Sequence, residues 1–289
     1  MSSRARAIAL LLRVFALLPY PATQALGWAV GHLLAMVPNT LRDTSRTNIA
    51  RCLPELGATA QARLLRRSLV ETGKTMLEAG AVWHWEGGRA LALVRKVYGE
   101  QHVRDALAAG RGVILATPHL GQWELMGLYC SAHYPITTLY RPPRQTELDG
   151  VIRRARERLG AHLVPAGTAG VRALYRAIGR GEAVGLLPDQ MPKGGEGRLA
   201  PFFAQPAHTM VLLSRLAMKT RAPVVFCYAR RLTGGRGFQV HFLPAPAVLN
   251  EGTLAASLAG VNEMVERCVR TCPEQYQWGY KRFGSAPAP

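Results

Sequence analysis

The first side chains whose types and spacing could do chemistry are His119 and Glu124, in the run Gly112-Val-Ile-Leu-Ala-Thr-Pro-His-Leu-Gly-Gln-Trp-Glu124. Five residues along one continuous helix would place them about 140° apart, too far round to meet. The run changes character between them. Val113 to Ala116 is a short apolar stretch between Gly112 and Pro118, which reads as a buried strand; a tight turn follows, then a helix. With His119 held before the helix and Glu124 in its first turns, the carboxylate reaches back to the imidazole. The expectation is a base and its orienter: Glu124 fixes the tautomer and steadies the imidazolium, while the other ring nitrogen takes a proton. No Gly-x-Ser-x-Gly nucleophile elbow accompanies the pair, so the attacking hydroxyl would belong to a substrate. By itself His-x4-Glu also fits a turn histidine beside a solvated helix carboxylate.

Further candidates stand at other strand ends. Arg141 directly follows the strand Ile136–Tyr140 and is placed to bind a substrate phosphate or simply to face water. Asp189 and Gln190 close Leu-Leu-Pro-Asp-Gln; the carboxylate is free to pair with an arginine or with the acceptor, or to cap the turn. Arg153, Arg154 and Arg156 share one basic helix, where a solvated face is the plain reading. Pro201-Phe-Phe203, with Met210 and Leu212, suits an acyl channel or a core, and Val82-Trp-His-Trp85 suits a membrane–water boundary or a core.

The elements that must position these residues alternate from Gly112 onward. Strands are expected at 113–117, 136–140, near 163, 183–187, 224–230 and 238–243; helices at 122–131, 145–159, 170–179, 209–219 and 253–271. An irregular loop is expected over 188–205, a helix over 61–78, and a polar connection over 39–56. Such alternation predicts an α/β fold, a mostly parallel mixed sheet covered by helices. Sites in such sheets gather at the carboxyl ends of strands, where His119, Arg141 and Asp189 all fall.

The chain has 289 residues, 36 of them basic against 18 acidic, a formal charge of +18. Only five basic residues (74, 96, 193, 219 and 281) are lysine, and arginine grips phosphate bidentately. This favours an anionic lipid or an acidic carrier. Nucleic acid is disfavoured, since the charges are scattered and no nucleic-acid-binding motif is present. The five cysteines (52, 130, 227, 268, 272) lack metal-site spacing and are expected as reduced thiols in a cytosol-facing protein. Residues 7–18 and 23–37 read as two apolar helices. The first, at about 18 Å, is short of a roughly 30 Å hydrocarbon core. A helix pair lying on the inner leaflet is preferred here over a single transmembrane anchor or a cleaved signal peptide. The division expected is 1–38 as membrane-associating helices and 39–289 as the α/β domain.

Several segments together resemble the late acyltransferases of lipid A biosynthesis, within the lysophospholipid acyltransferase-like proteins that carry an H-x4-D/E motif. They are Arg-Thr-Asn-Ile-Ala-Arg-Cys-Leu-Pro-Glu-Leu (46–56), His119 to Glu124, Tyr140-Arg-Pro, Leu187-Pro-Asp-Gln, Ala200-Pro-Phe-Phe and Glu-Gln-Tyr-Gln-Trp-Gly-Tyr-Lys-Arg-Phe (274–283). The resemblance implies a glycerol-3-phosphate acyltransferase-like fold. It also implies transfer of a fatty acyl group from acyl carrier protein, less readily acyl-CoA, to a hydroxyl of a lipid A precursor at the inner membrane. No metal or cofactor is implied. Arg156 and Asp189 match positions implicated in that activity, and Trp278, Lys281 and Arg282 match a tail expected to dock on the sheet or a lipid headgroup. Past Gln190 the continuation Met-Pro-Lys-Gly-Gly departs from the family pattern. Two other readings remain: the same chemistry on a lysophospholipid, glycolipid or ornithine-type lipid, and a non-enzymatic lipid-binding or carrier-docking protein.

Overall fold

A computed structural model of the chain describes residues 3–143, 149–192 and 197–284. In order the elements are α1 (Ser3–Leu17), α2 (Tyr20–Met36), α3 (Thr40–Cys52), α4 (Ala58–His84), α5 (Gly87–Leu91), β1 (Val94–Tyr98), α6 (Gln101–Ala108), β2 (Val113–Ala116), α7 (Trp123–His133), β3 (Ile136–Tyr140) and α8 (Asp149–Glu157). They continue as β4 (His162–Pro165), α9 (Thr168–Gly179), β5 (Ala183–Leu186), β6 (Gly197–Phe202), β7 (Gln205–Met210), α10 (Val211–Thr220), β8 (Val224–Arg231), β9 (Phe238–Pro244), α11 (Val248–Glu251) and α12 (Leu254–Thr271).

Among the described residues one seven-stranded sheet runs β1-β9-β8-β2-β5-β3-β4. Strands β8, β2, β5, β3 and β4 are mutually parallel, and β9 pairs antiparallel with β8, so the sheet is mixed and mostly parallel as expected. The central strands β2 and β5 are buried throughout, which is why they read as continuous apolar runs rather than alternating ones. Helices cover both faces, giving two apolar clusters with the sheet between them.

Two expected loops are regular elements. The polar stretch 39–56 contains α3, which starts where the Asn39 side chain accepts the Arg42 N–H at 2.9 Å. Within 188–205 the chain forms the first strand of the β6–β7 hairpin. Its two-residue turn is Phe203-Ala204, both at positive φ (48° and 58°). Such turns are usually marked by Asn-Gly or Asp-Gly, so this one carries no turn signature in its residues. Helix α4 runs on to His84, beyond the expected end at Glu78. The start expected for the helix at Gln145 lies outside the described residues; α8 is described from Asp149.

Helices α1 and α2 lie on α4. Gly27, Gly31 and Gly73 sit at the α2–α4 crossing, where a Cβ on Gly31 would fall 2.3 Å from the Val70 Cα. Small residues there let the two backbones touch. On their outer side α1 and α2 expose Leu10, Leu17, Trp28, Leu33 and Met36, with Leu17 82% and Met36 77% exposed. No helix among the described residues is long and apolar enough to cross a membrane.

Candidate active site

Strands β2 and β5 are neighbours in register, Ala116 opposite Leu186. Each is followed by one residue, a proline, and then a polar side chain: Thr117-Pro118-His119 and Leu187-Pro188-Asp189. Equal offsets from paired ends bring the two polar residues together at the carboxyl edge of the sheet. The His119 Nδ1 lies 2.8 Å from the Asp189 Oδ1, and the His119 backbone N–H donates to Oδ2 at 2.9 Å. Asp189 therefore fixes both the ring and the backbone of the turn. The Gln190 amide lies 3.1 Å from His119 Nε2 and also donates to the Gln277 side-chain oxygen at 3.1 Å. This pattern places the imidazole proton on Nδ1, facing Asp189, and the basic lone pair on Nε2. Burial disfavours the Asp189 carboxylate, but His119 and the two hydrogen bonds from it outweigh this and hold its pKa below the ordinary range.

Glu124 has other partners. Arg156 grips it bidentately, Nε to Oε2 at 2.9 Å and Nη2 to Oε1 at 2.5 Å, and the Trp83 indole N–H donates to Oε2 at 3.1 Å. The expected His119–Glu124 hydrogen bond is corrected here: Asp189 holds the imidazole, and Glu124 pairs with Arg156. The physical reason is direction. Glu124 leaves the first turn of α7 toward α8 and the end of α4, whereas Asp189 arrives from the strand beside β2. Desolvation of the largely covered Glu124 carboxylate disfavours its anion, yet Arg156 more than offsets this and its pKa is lowered. Of the three arginines left open on this helix, Arg156, the one matched to the family position, meets Glu124; Arg153 pairs with Glu157 at 3.1 Å.

Behind the turn lies a second buried charge cluster. Glu78 accepts from Arg231 (Nε to Oε1, 2.7 Å), from Gln122 at 2.7 Å, from Gln24 at 2.5 Å and from Tyr20 at 3.1 Å. It thereby joins α2, α4, β8 and the residue that opens α7. The Gly121 N–H donates to the Gln275 carbonyl and the Gln122 N–H to the Ala229 carbonyl, so the turn is braced on both sides. Gly121 must be glycine: at φ 62° a Cβ would lie 2.0 Å from the Ala229 oxygen.

A family model described as bacterial lipid A biosynthesis acyltransferase matches residues 5–285. The chain belongs to this family. Relatives of this lipid A acyltransferase-family protein include the lipid A biosynthesis lauroyltransferase of Escherichia coli (strain K12), 27% identical over 93% of this chain and 88% of the relative. The lipid A biosynthesis palmitoleoyltransferase of the same organism is 27% identical over 93% and 87%. A phosphatidylinositol mannoside acyltransferase of Mycobacterium tuberculosis (strain ATCC 25618 / H37Rv) is 29% identical over 68% and 63%. Acyl transfer to oxygen is the chemistry in keeping with these relatives.

The remaining sequence candidates divide. Arg141 is exposed just beyond β3, on the same sheet edge as His119 and Asp189. Phe202 and Phe203 are buried in the core with Trp278, and Met210 and Leu212 are partly covered. Trp278 and Arg282 are also buried, the latter bonding Thr209 at 3.1 Å, so they dock the tail onto the fold; Lys281 stays exposed. Trp85 is held by α1, its indole donating to the Ala16 carbonyl at 2.7 Å. Sequence reasoning missed Trp83, Glu78, Arg231 and Gln122 as supports of the site. The one available signal was apolar context around charged residues, which marks burial but names no partner. The five cysteines are free and buried.

Proposed function

We propose that this protein moves a fatty acyl group from acyl carrier protein to a hydroxyl of a lipid A precursor, with His119 as general base. The observation that carries the reading is the Asp189–His119 pair at a strand-end turn, with Nε2 turned away from Asp189 toward the Gln190 amide and no Ser, Thr or Cys side chain bonded to the ring among the described residues. The acceptor hydroxyl takes the place of the Gln190 amide at Nε2. It gives its proton to Nε2 as its oxygen attacks the thioester carbonyl, and Asp189 stabilises the imidazolium so formed. The tetrahedral intermediate then collapses to the ester. The carrier's thiolate leaves and regains the proton from His119.

Developing charge on the carbonyl oxygen needs donors. The N–H groups of Gly121 and Gln122 are already accepted by carbonyls. The next three, on Trp123, Glu124 and Leu125, open a helix with no side-chain cap. These N–H groups, at the positive end of α7, are the donors assigned to the oxyanion. Arg156, fixed by Glu124, and exposed Arg141 are assigned to anionic groups of the substrates. Glu124 acts as a positioning residue for Arg156. No cofactor enters this scheme.

The apolar outer side of α1 and α2 supports residues 1–38 as an inner-leaflet docking element, with residues 39–289 as the catalytic domain, at the cytoplasmic face of a bacterial inner membrane. The net charge of +18 suits both an acidic carrier and anionic lipid. A glycolipid acceptor is the second reading, supported by the mycobacterial relative.

Replacing His119 by Ala and assaying acyl transfer with acyl carrier protein and acyl-CoA as alternative donors tests the mechanism. Collapse at unchanged protein level is expected, and undiminished transfer would remove His119 from it. Mass spectrometry of lipids from a deletion strain tests the acceptor. Loss of one secondary chain from lipid A is expected; altered phospholipids or glycolipids alone would favour the second reading.

A further inference from the structure

A cavity of about 430 Å³ opens between α2, α4, the turn at 233–235 and the segment around Gln275. That volume is within the range of small-ligand sites. Arg66, Arg67, Lys74 and Arg231 line it, with His32, against the carboxylates of Glu71 and Glu274. Three of the cations already meet carboxylates: Arg67 lies 3.4 Å from Glu274, Lys74 2.6 Å from Glu71, and Arg231 bonds Glu71 and Glu78. Even with Glu78 counted, the fixed charges sum to a positive value. Arg66 has no hydrogen-bond or ion-pair partner among the described residues. The rim carries Trp28, 53% exposed, on the same helix as exposed Leu26 and Leu33. A cationic hollow beside a half-exposed indole and an apolar helix face is what a lipid headgroup requires: cations for phosphate, the indole at the interface, the apolar side for chains.

The geometry points to this cavity as a binding site for the phosphate of a membrane lipid's headgroup, distinct from the His119 turn. The inference rests on the membrane-facing reading of α1 and α2. The site adjoins the chemistry. Strand β8 is the neighbour of β2 and parallel to it, so Arg231 at its end shares the carboxyl edge with His119. Gln275, in the cavity wall, accepts the Gly121 N–H at 3.0 Å through its carbonyl. A lipid held here by its phosphate is registered against the turn that carries the base. Free phosphate has no use for Trp28 or the apolar rim, and a carrier protein none for the apolar side of α2.

The test uses the full chain and short soluble probes. Dihexanoyl phosphatidic acid, dihexanoyl phosphatidylcholine and inorganic phosphate are titrated calorimetrically into wild type, Arg66→Glu, and Arg66→Glu combined with Lys74→Gln. The exposed pair Arg172→Ala/Arg176→Ala on α9 is the charge control. Expected is saturable binding of the phosphatidic acid, weakened about tenfold or more by Arg66→Glu and further by the double change, with the α9 control unaffected. Arg66 is exposed on a helix, so its variant is expected to keep the wild-type circular dichroism and melting temperature. Equal weakening in the control, or none in the cavity variants, would overturn the site. Binding of inorganic phosphate as tight as the lipid, or no saturable binding of the lipid, would overturn the lipid assignment. Failure of the membrane reading looks different: wild type would not partition onto neutral phosphatidylcholine vesicles at all.

Discussion

His119 and Asp189 stand three residues beyond paired strand ends, Ala116 and Leu186, and their side chains meet at 2.8 Å. Both residues stand in short turns anchored directly on two paired strands, so the sheet holds their spacing constant. Asp189→Asn is expected to keep the fold but lose the preference for the Nδ1–H tautomer. Turnover should fall by about 10²–10⁴-fold, with an altered pH–rate profile. A profile and turnover matching wild type would show that the carboxylate is dispensable.

Glu124 and Arg156 form the second pair, and a double-mutant cycle separates the two pairs. Glu124→Gln should weaken substrate binding while leaving the Asp189–His119 hydrogen bond in place. Glu124→Gln combined with Arg156→Gln should cost less than the two single losses added. Arg156 keeps 33% side-chain exposure, so the stability lost by breaking the pair should lie at or below about 3 kcal/mol, the low end for buried pairs. Strict additivity in urea melts would mean the two side chains do not interact.

Acid should expose the same carboxylates. Glu124 and Asp189 both have folded pKa values below the ordinary range. Each therefore binds its proton less readily when folded. Their contribution is fully present above the unfolded values, about 4, and disappears as pH falls through the lowered folded ones. Melting temperature followed from pH 6 to pH 3 should drop more steeply in wild type than in Glu124→Gln. Parallel curves would be the contrary result.

Glu78 supports the turn from behind. Glu78→Leu leaves Arg231 buried with only part of its partners and frees Gln122, Gln24 and Tyr20. A loss of about 3–5 kcal/mol in chemical denaturation is expected, with reduced turnover in whatever protein remains folded. A neutral effect would remove the buried cluster from the account of the turn.

The α2–α4 crossing depends on its glycines. A leucine at Gly31 would drive its Cβ to 2.3 Å from the Val70 backbone. Gly31→Leu should lower the melting temperature by several degrees. Gly57→Ala, where a Cβ meets nothing within 4 Å, serves as the control.

The alternation of apolar runs with amphipathic ones sufficed for the α/β class, the parallel sheet and the strand-end location of His119, Arg141 and Asp189, because burial and period are local properties. The repeated x-Pro-polar ending of 117–119 and 187–189 also lay in the sequence, although its meaning depended on knowing that β2 and β5 are neighbours. Pairing was a different matter. Glu124 is five residues from His119 and Asp189 is seventy, yet the distant one holds the ring. Chain proximity favoured Glu124, but that carboxylate is taken by Arg156 and Trp83 and leaves the ring to Asp189. The hairpin at 197–210 was hidden by a positive-φ turn made of Phe and Ala, and α3 by its polar composition. Residue types and periods bound what each segment can become. Which charged groups meet is decided by strand order and helix direction, and those are set by packing across the whole chain.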